Sequence, residues 1–160
     1  MRARSFADMP CPIARSLDRV GEWWSILILR EAFLGASRFD DFQRALPIAP
    51  TTLTRRLNGL VAAGLFERRG YSTRPVRHEY VLTEVGHDFR PVLIALLAWG
   101  NRHFAPEGAA VVVKDRATGR QVEPILVEAG TGHPITPRTH RIAAGPQAPD
   151  WLRARLGVGA

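Results

Sequence analysis

Cysteine and lysine are almost missing from this chain: Cys11 and Lys114 are the single examples among 160 residues. One thiol excludes an intramolecular disulfide and any cysteine-based zinc cluster within one chain, and it fits a reducing cytosol. Long apolar runs are missing as well. The longest, Val92 to Trp99, falls far short of the ~20 residues that a bilayer span requires. Met1 to Pro10 carries two arginines, but Asp8, Pro10 and Pro12 prevent an apolar run behind them, so no signal peptide is expected. These absences predict a soluble cytoplasmic protein with no membrane partner. There is also no glycine-rich phosphate loop, no nucleophile elbow and no histidine pair at i, i+4. His87 and Asp88 are neighbours that point apart on a helix, which is poor geometry for acid/base work. The expectation is a protein that is not an enzyme and needs neither cofactor nor metal.

What the chain does contain is arginine. Lys and Arg total 22 against 15 Asp and Glu, a net charge of +7. An anionic partner follows as a first suspicion, to be decided by where the arginines lie. With 46% apolar and 23% charged residues the chain can bury a core, and its length suits one domain with a small appendage.

Apolar spacing predicts a helix around 12–20 and a second around 22–34, pivoting near Gly21 and stopped by Gly35. Arg38 to Leu46 reads as a short amphipathic helix ended by Pro47. Thr51 is the expected N-cap of a fourth helix running to about Ala63, with Leu53, Leu57, Leu60 and Val61 as its buried stripe. The opposite face carries Thr51, Thr52, Arg55, Asn58 and Gly59, flanked by Thr54 and Arg56, without one carboxylate. Solvated helix faces usually mix charges. Short hydroxyls, an amide and arginines are instead the groups that bond phosphates and base edges.

Leu65 to Glu67 and Glu79 to Thr83 read as two short strands joined by an extended tip that holds Arg68, Arg69, Arg74, Arg77 and His78. From Thr51 to Tyr80 six arginines face two glutamates, a local surface suited to nucleic acid. A fifth helix starts at Thr83-Glu84 and runs towards Gly100, with Pro91 a candidate kink; its apolar positions cover more than one face, an excess that often meets a second subunit. Strands are expected at Ala109 to Val113 and Gln121 to Val127, then a loose end over 136–160 in which Trp151, Leu152 and Leu156 dock as a helical turn. No internal repeat is visible.

This order predicts an α+β, mostly helical chain: a winged helix-turn-helix with a long C-terminal dimerisation helix over 1–107, a small β appendage over 108–135 and the tail over 136–160. Cys11-Pro12-Ile13, Trp24, Gly35, Arg38-Phe39, Leu53-Thr54-Arg55-Arg56-Leu57, Gly64-Leu65, Tyr80-Val81-Leu82-Thr83 and Trp99-Gly100 together resemble the HxlR family of bacterial winged-helix transcriptional regulators, over about residues 8–107. The resemblance implies a homodimer that binds pseudo-palindromic double-stranded DNA as repressor or activator. It implies a base-reading helix from Thr51 to Asn58, a wing from Arg68 to His78, and a dimer contact through Ile13, Leu17, Leu93, Leu96, Leu97 and Trp99. Trp23 departs from the basic or polar residue common there. Arg55 is expected on base edges, and Arg56, Arg69, Arg74 and Arg77 on phosphates or in the minor groove. The alternative is a winged-helix adaptor that binds protein rather than DNA.

Several members of that family respond to oxidants through an N-terminal cysteine. Here Cys11, with a helix start and Arg15 nearby, is the candidate redox sensor against the plainer reading of a packed thiol. A pocket between the first and last helices is a candidate for an aromatic effector. In the appendage, Thr118-Gly119 and Gly130-Thr131-Gly132-His133-Pro134 resemble the knuckles of a small zinc ribbon, but no cysteine lies beyond residue 11. A metal-free relic is expected.

Overall fold

The computed structural model describes residues 5–157. The chain falls into two compact units that divide between Gly100 and Asn101. The first contains α1 (Pro12–Val20), α2 (Trp23–Phe33), α3 (Phe39–Ala45), α4 (Pro50–Ala62), the hairpin β1 (Phe66–Thr73) and β2 (Val76–Leu82), the short α5 (Glu84–His87), and most of α6 (Arg90–His103). Its core is drawn from every layer: Ile28 and Leu29 of α2, Phe42 of α3, Leu53, Leu57 and Leu60 of α4, and Phe66 and Tyr80 of the hairpin are all buried. Each leucine of α4 contributes roughly 1.5–3 kcal/mol by leaving water. That stripe fixes which face of α4 remains outside.

The helix ends have local causes. Gly35, at φ 103°, ends α2, and the Ala36 N–H reaches back to the Glu31 carbonyl at 3.0 Å, as a left-handed glycine after a helix allows. The Asp41 carboxylate accepts the Arg38 N–H at 3.0 Å to open α3. This backbone bond is the main reason that its pKa lies below the usual carboxylate range. Leu46 and Ile48, both buried, hold the turn into α4. Thr51 is not the N-cap of α4. Ala49 occupies that place and Pro50 begins the helix, because a proline at the first position has its φ preset and lacks only an N–H that would be unbonded anyway.

Two other expectations change. The hairpin is strand almost to its tip, pairing Phe66 with Leu82 at the base and Thr73 with Val76 at the end, so only Arg74 and Pro75, joined by a cis peptide, form the loop. The helix expected from Thr83 is broken. The Thr83 hydroxyl accepts the Gly86 N–H at 3.1 Å to cap α5, which stops before α6 begins. Pro91 can neither donate to the His87 carbonyl nor fit against it in a continuous helix, so the chain breaks rather than kinks. Gly86 packs so closely that a Cβ would lie 2.2 Å from the Leu65 carbonyl oxygen.

In the second unit the expected longer strands shrink to β3 (Val113–Lys114) paired with β4 (Gln121–Val122), and Val127 bridges Pro134. Near the end α7 (Asp150–Gly157) is a two-turn helix rather than a single turn. A repeat absent from the sequence reading emerges in the two turns. Asp115 accepts the Ala117 and Thr118 N–H groups, at 3.1 and 2.7 Å, and the Thr118 hydroxyl at 2.8 Å. Glu128 accepts the Gly130 and Thr131 N–H groups at 2.8 and 2.9 Å. Each turn closes four residues on at a glycine of positive φ, Gly119 or Gly132. A carboxylate thus gathers the same backbone donors that would surround a knuckle thiolate, and among the described residues no cluster of metal-ligating side chains forms.

Candidate nucleic-acid interface

With Leu53, Leu57 and Leu60 turned inward, α4 exposes Thr51, Thr54, Arg55 and Asn58, while Thr52 is half-buried. The Thr54 hydroxyl donates to the Pro50 carbonyl at 2.9 Å, which leaves its oxygen to act outward as an acceptor. Arg55 has no ion pair among the described residues. Arg56, expected on phosphates, is engaged within the chain. At about 100° per residue it falls on the flank, and the structure turns it inward to Glu22 at 2.7 Å, with its side chain only 20% exposed. Glu22 sits at the N-cap of α2 without capping it. The pair therefore ties the flank of α4 to the start of α2.

In the hairpin the register slips between Gly70 and Ser72, which makes Tyr71 the extra residue of a bulge. Bulges redirect side chains, and this one lays the Tyr71 ring beneath the Arg38 guanidinium, 4.4 Å from its centroid. The Tyr80 N–H donates to the Ser37 carbonyl at 2.7 Å, and Arg38 bridges Glu79. The wing is thereby fixed to the start of α3. Arg38 enters the family resemblance and Tyr71 does not, and neither is among the expected site residues; an aromatic residue in an otherwise polar, basic hairpin is the available signal.

The wing cations are not equivalent. Arg69 is held by Glu67 at 2.8 Å, a hydrogen bond that raises the Arg69 pKa and lowers that of Glu67. An Arg68 guanidinium nitrogen lies 3.0 Å from His78 Nδ1. Arg74 and Arg77, at the exposed end, have no ion pair among the described residues. Positive charge is thus least neutralised at the outer face of α4 and the hairpin tip.

Cys11 is half-buried at the N-cap of α1, a free thiol. Arg15 donates to the Met9 carbonyl at 2.6 Å, closing the segment that leads into the helix. Ile13 and Leu17 are exposed along α1, as are Leu96 and Trp99 on α6, whereas Leu93 packs against the core and Leu97 is half-buried.

The described residues contain no helix long and apolar enough to cross a membrane. The family model for HxlR-like helix-turn-helix proteins matches residues 19–108. An HTH-type transcriptional regulator of Mycobacterium tuberculosis, uncharacterised, is 42% identical over 135 residues, which cover 84% of this chain and 85% of the relative. The structure of PA1374 from Pseudomonas aeruginosa, described as a candidate transcription factor, is 54% identical with a TM-score of 0.66, covering 91% of this chain and 100% of that one. HypR, described as a redox regulator and solved in its reduced form, is 32% identical with a TM-score of 0.55, covering 61% of this chain and 99% of its own.

Proposed function

The chain belongs to the HxlR-like helix-turn-helix family, and from that premise we propose that it is a homodimeric repressor of transcription that binds double-stranded DNA at a pseudo-palindromic operator. The observation that carries this reading is the outer face of α4: hydroxyls, an amide and the unpaired Arg55, without a carboxylate, on a helix of the size a major groove admits. Arg55 reads a base edge, guanine being the base whose O6 and N7 suit a guanidinium, with Thr51, Thr52, Thr54 and Asn58 beside it. Arg68, Arg69, Arg74, Arg77 and His78 approach phosphates or the minor groove, Arg69 by relinquishing Glu67.

Dimerisation is supported by the apolar side chains of α1 and α6. Ile13 is 66%, Leu17 50% and Trp99 54% exposed in the single chain, and a second copy would cover them. Leu96 joins them, with Leu93 and Leu97 behind. Cys11 is the candidate through which an oxidant acts, by a disulfide to Cys11 of the second copy; the likeness to HypR supports a redox response. Mild peroxide should then convert the protein to a covalent dimer on non-reducing electrophoresis and change its DNA affinity. Unchanged mobility makes the thiol structural.

Selection of bound fragments from a random DNA library tests the main reading. Enrichment of an inverted repeat with half-sites about one helical turn apart is the expected result. No enrichment at low salt refutes it.

A further inference from the structure

We propose that the cavity between the α1–α2 corner and α4 is a binding site for a small oxyanion, a phosphate or carboxylate group held by Arg19, Arg55 and Arg56. The cavity measures about 230 Å³, room for a phosphate or a small organic acid and less than the ~300–1,000 Å³ of drug-sized sites. Three arginines outnumber its two acids, Asp18 and Glu22. Glu22 holds Arg56 at 2.7 Å, and Asp18 accepts the Phe6 N–H at 2.7 Å and the Ser5 hydroxyl at 3.1 Å. Arg19 and Arg55 line the same space with no ion pair among the described residues. The Arg56 Nε is buried without any acceptor, a costly state for a charged donor.

Shape agrees with charge. The apolar part of the lining is Gly21, Gly59, Ala62 and Ala63. Gly59 sits mid-helix, where glycine is unfavourable, yet a Cβ there would meet no atom within 4 Å. Its missing side chain therefore relieves no clash. An occupant bound by Arg19 and drawing Arg55 inward would take Arg55 from the base edges. This consequence rests on the DNA reading; the site itself does not. The oxyanion can be a backbone phosphate of bound DNA or a free small acid.

The test begins with DNA-free, full-length protein titrated with inorganic phosphate against chloride at equal ionic strength, read as thermal stabilisation. The wild type should show a saturable, phosphate-specific rise in Tm. Arg19→Gln should raise the half-saturating concentration by about tenfold, the scale of one lost charge-assisted hydrogen bond. Ala62→Leu, which fills the space and keeps every charge, should do the same. No phosphate-specific rise in the wild type, or a half-saturating concentration in both variants unchanged from the wild type, overturns the proposal. Because no DNA is present, that failure leaves the operator reading standing. Gel retardation on selected fragments then separates the sources. If DNA supplies the oxyanion, Arg19→Gln weakens binding to every sequence in phosphate-free buffer. If a free acid does, the variant binds DNA as the wild type does without phosphate and loses only the inhibition that phosphate causes.

Discussion

Two stretches of this chain carry a surplus of arginine, and they hold it differently. From Thr51 to Tyr80, six arginines meet two glutamates; from Gly108 onward, seven Lys or Arg meet four acids. In the first stretch Arg55 projects from a helix buried on its other side, and Arg55, Arg74 and Arg77 have no ion pair among the described residues. In the second, three of the four acids are engaged in local structure: Asp115 and Glu128 close the two turns, and Glu123 holds Arg102 at 2.6 Å. Arg153 spends its donors on the Ala148 and Pro146 carbonyls at 2.7 and 2.8 Å. Similar net charge therefore marks two kinds of surface. A nucleic-acid face needs cations on a rigid, uncompensated support, whereas the appendage uses charge to fold short segments that have little core.

The largest expected effect breaks the first side of this comparison. Arg55→Ala should cost about 1–3 kcal/mol of DNA affinity and relax the preference at one operator position, measured by retardation on single-base variants of a selected site. Uniform weakening across all variants would instead make Arg55 a phosphate contact. Next is the wing. Arg74→Ala should weaken all sequences alike and reduce the slope of log affinity against log salt by about 1. An unchanged slope would remove the hairpin tip from the interface. Tyr71→Ala should act more weakly, losing about 0.5–1 kcal/mol of stability from the Arg38 cation–π contact, read by denaturant unfolding, with a smaller fall in DNA affinity as the wing loosens.

How far such differences can be read in advance depends on the range of the interaction. The inward stripe of α4 was legible because Leu53, Leu57 and Leu60 repeat with the period of the helix. The wing was legible as a basic hairpin, but its length was not, since Arg68 to Thr73 lacks the apolar alternation that marks a strand and is held by pairing with β2. Arg56 shows the limit most clearly. Its place on the flank left both directions open, and the choice was made by Glu22, far away in sequence. Pro50 did signal its role at the start of α4, and the preference for a threonine cap obscured it. The paired turns are also present in the sequence, as an acid followed at the third and fourth positions by Thr-Gly, a pattern with no apolar period and therefore visible only once the carboxylate bonds are seen.

The two turns provide the smallest predicted effect, one confined to the appendage. The Thr118 N–H and hydroxyl bonds chiefly hold the Asp115 carboxyl below its ordinary pKa, and the Thr131 hydroxyl and the Gly130 N–H do so for Glu128. A folded-state pKa below the unfolded value means that the bonds stabilise fully above the unfolded pKa, and that this contribution vanishes as pH falls through the folded one. The turns should therefore loosen only below about pH 4. Asp115 is exposed and Glu128 partly so, and solvent screening keeps the effect local. The amide resonances of Thr118 and Thr131 should move together in an acid titration, with midpoints below those of ordinary carboxylates, while those of Leu53 and Leu57 stay in place. Asp115→Asn should abolish the Thr118 transition and leave that of Thr131. If core and appendage shift in one step, the carboxylates of the appendage do not govern its turns separately, and the contrast between the two basic regions fails where it was drawn most finely.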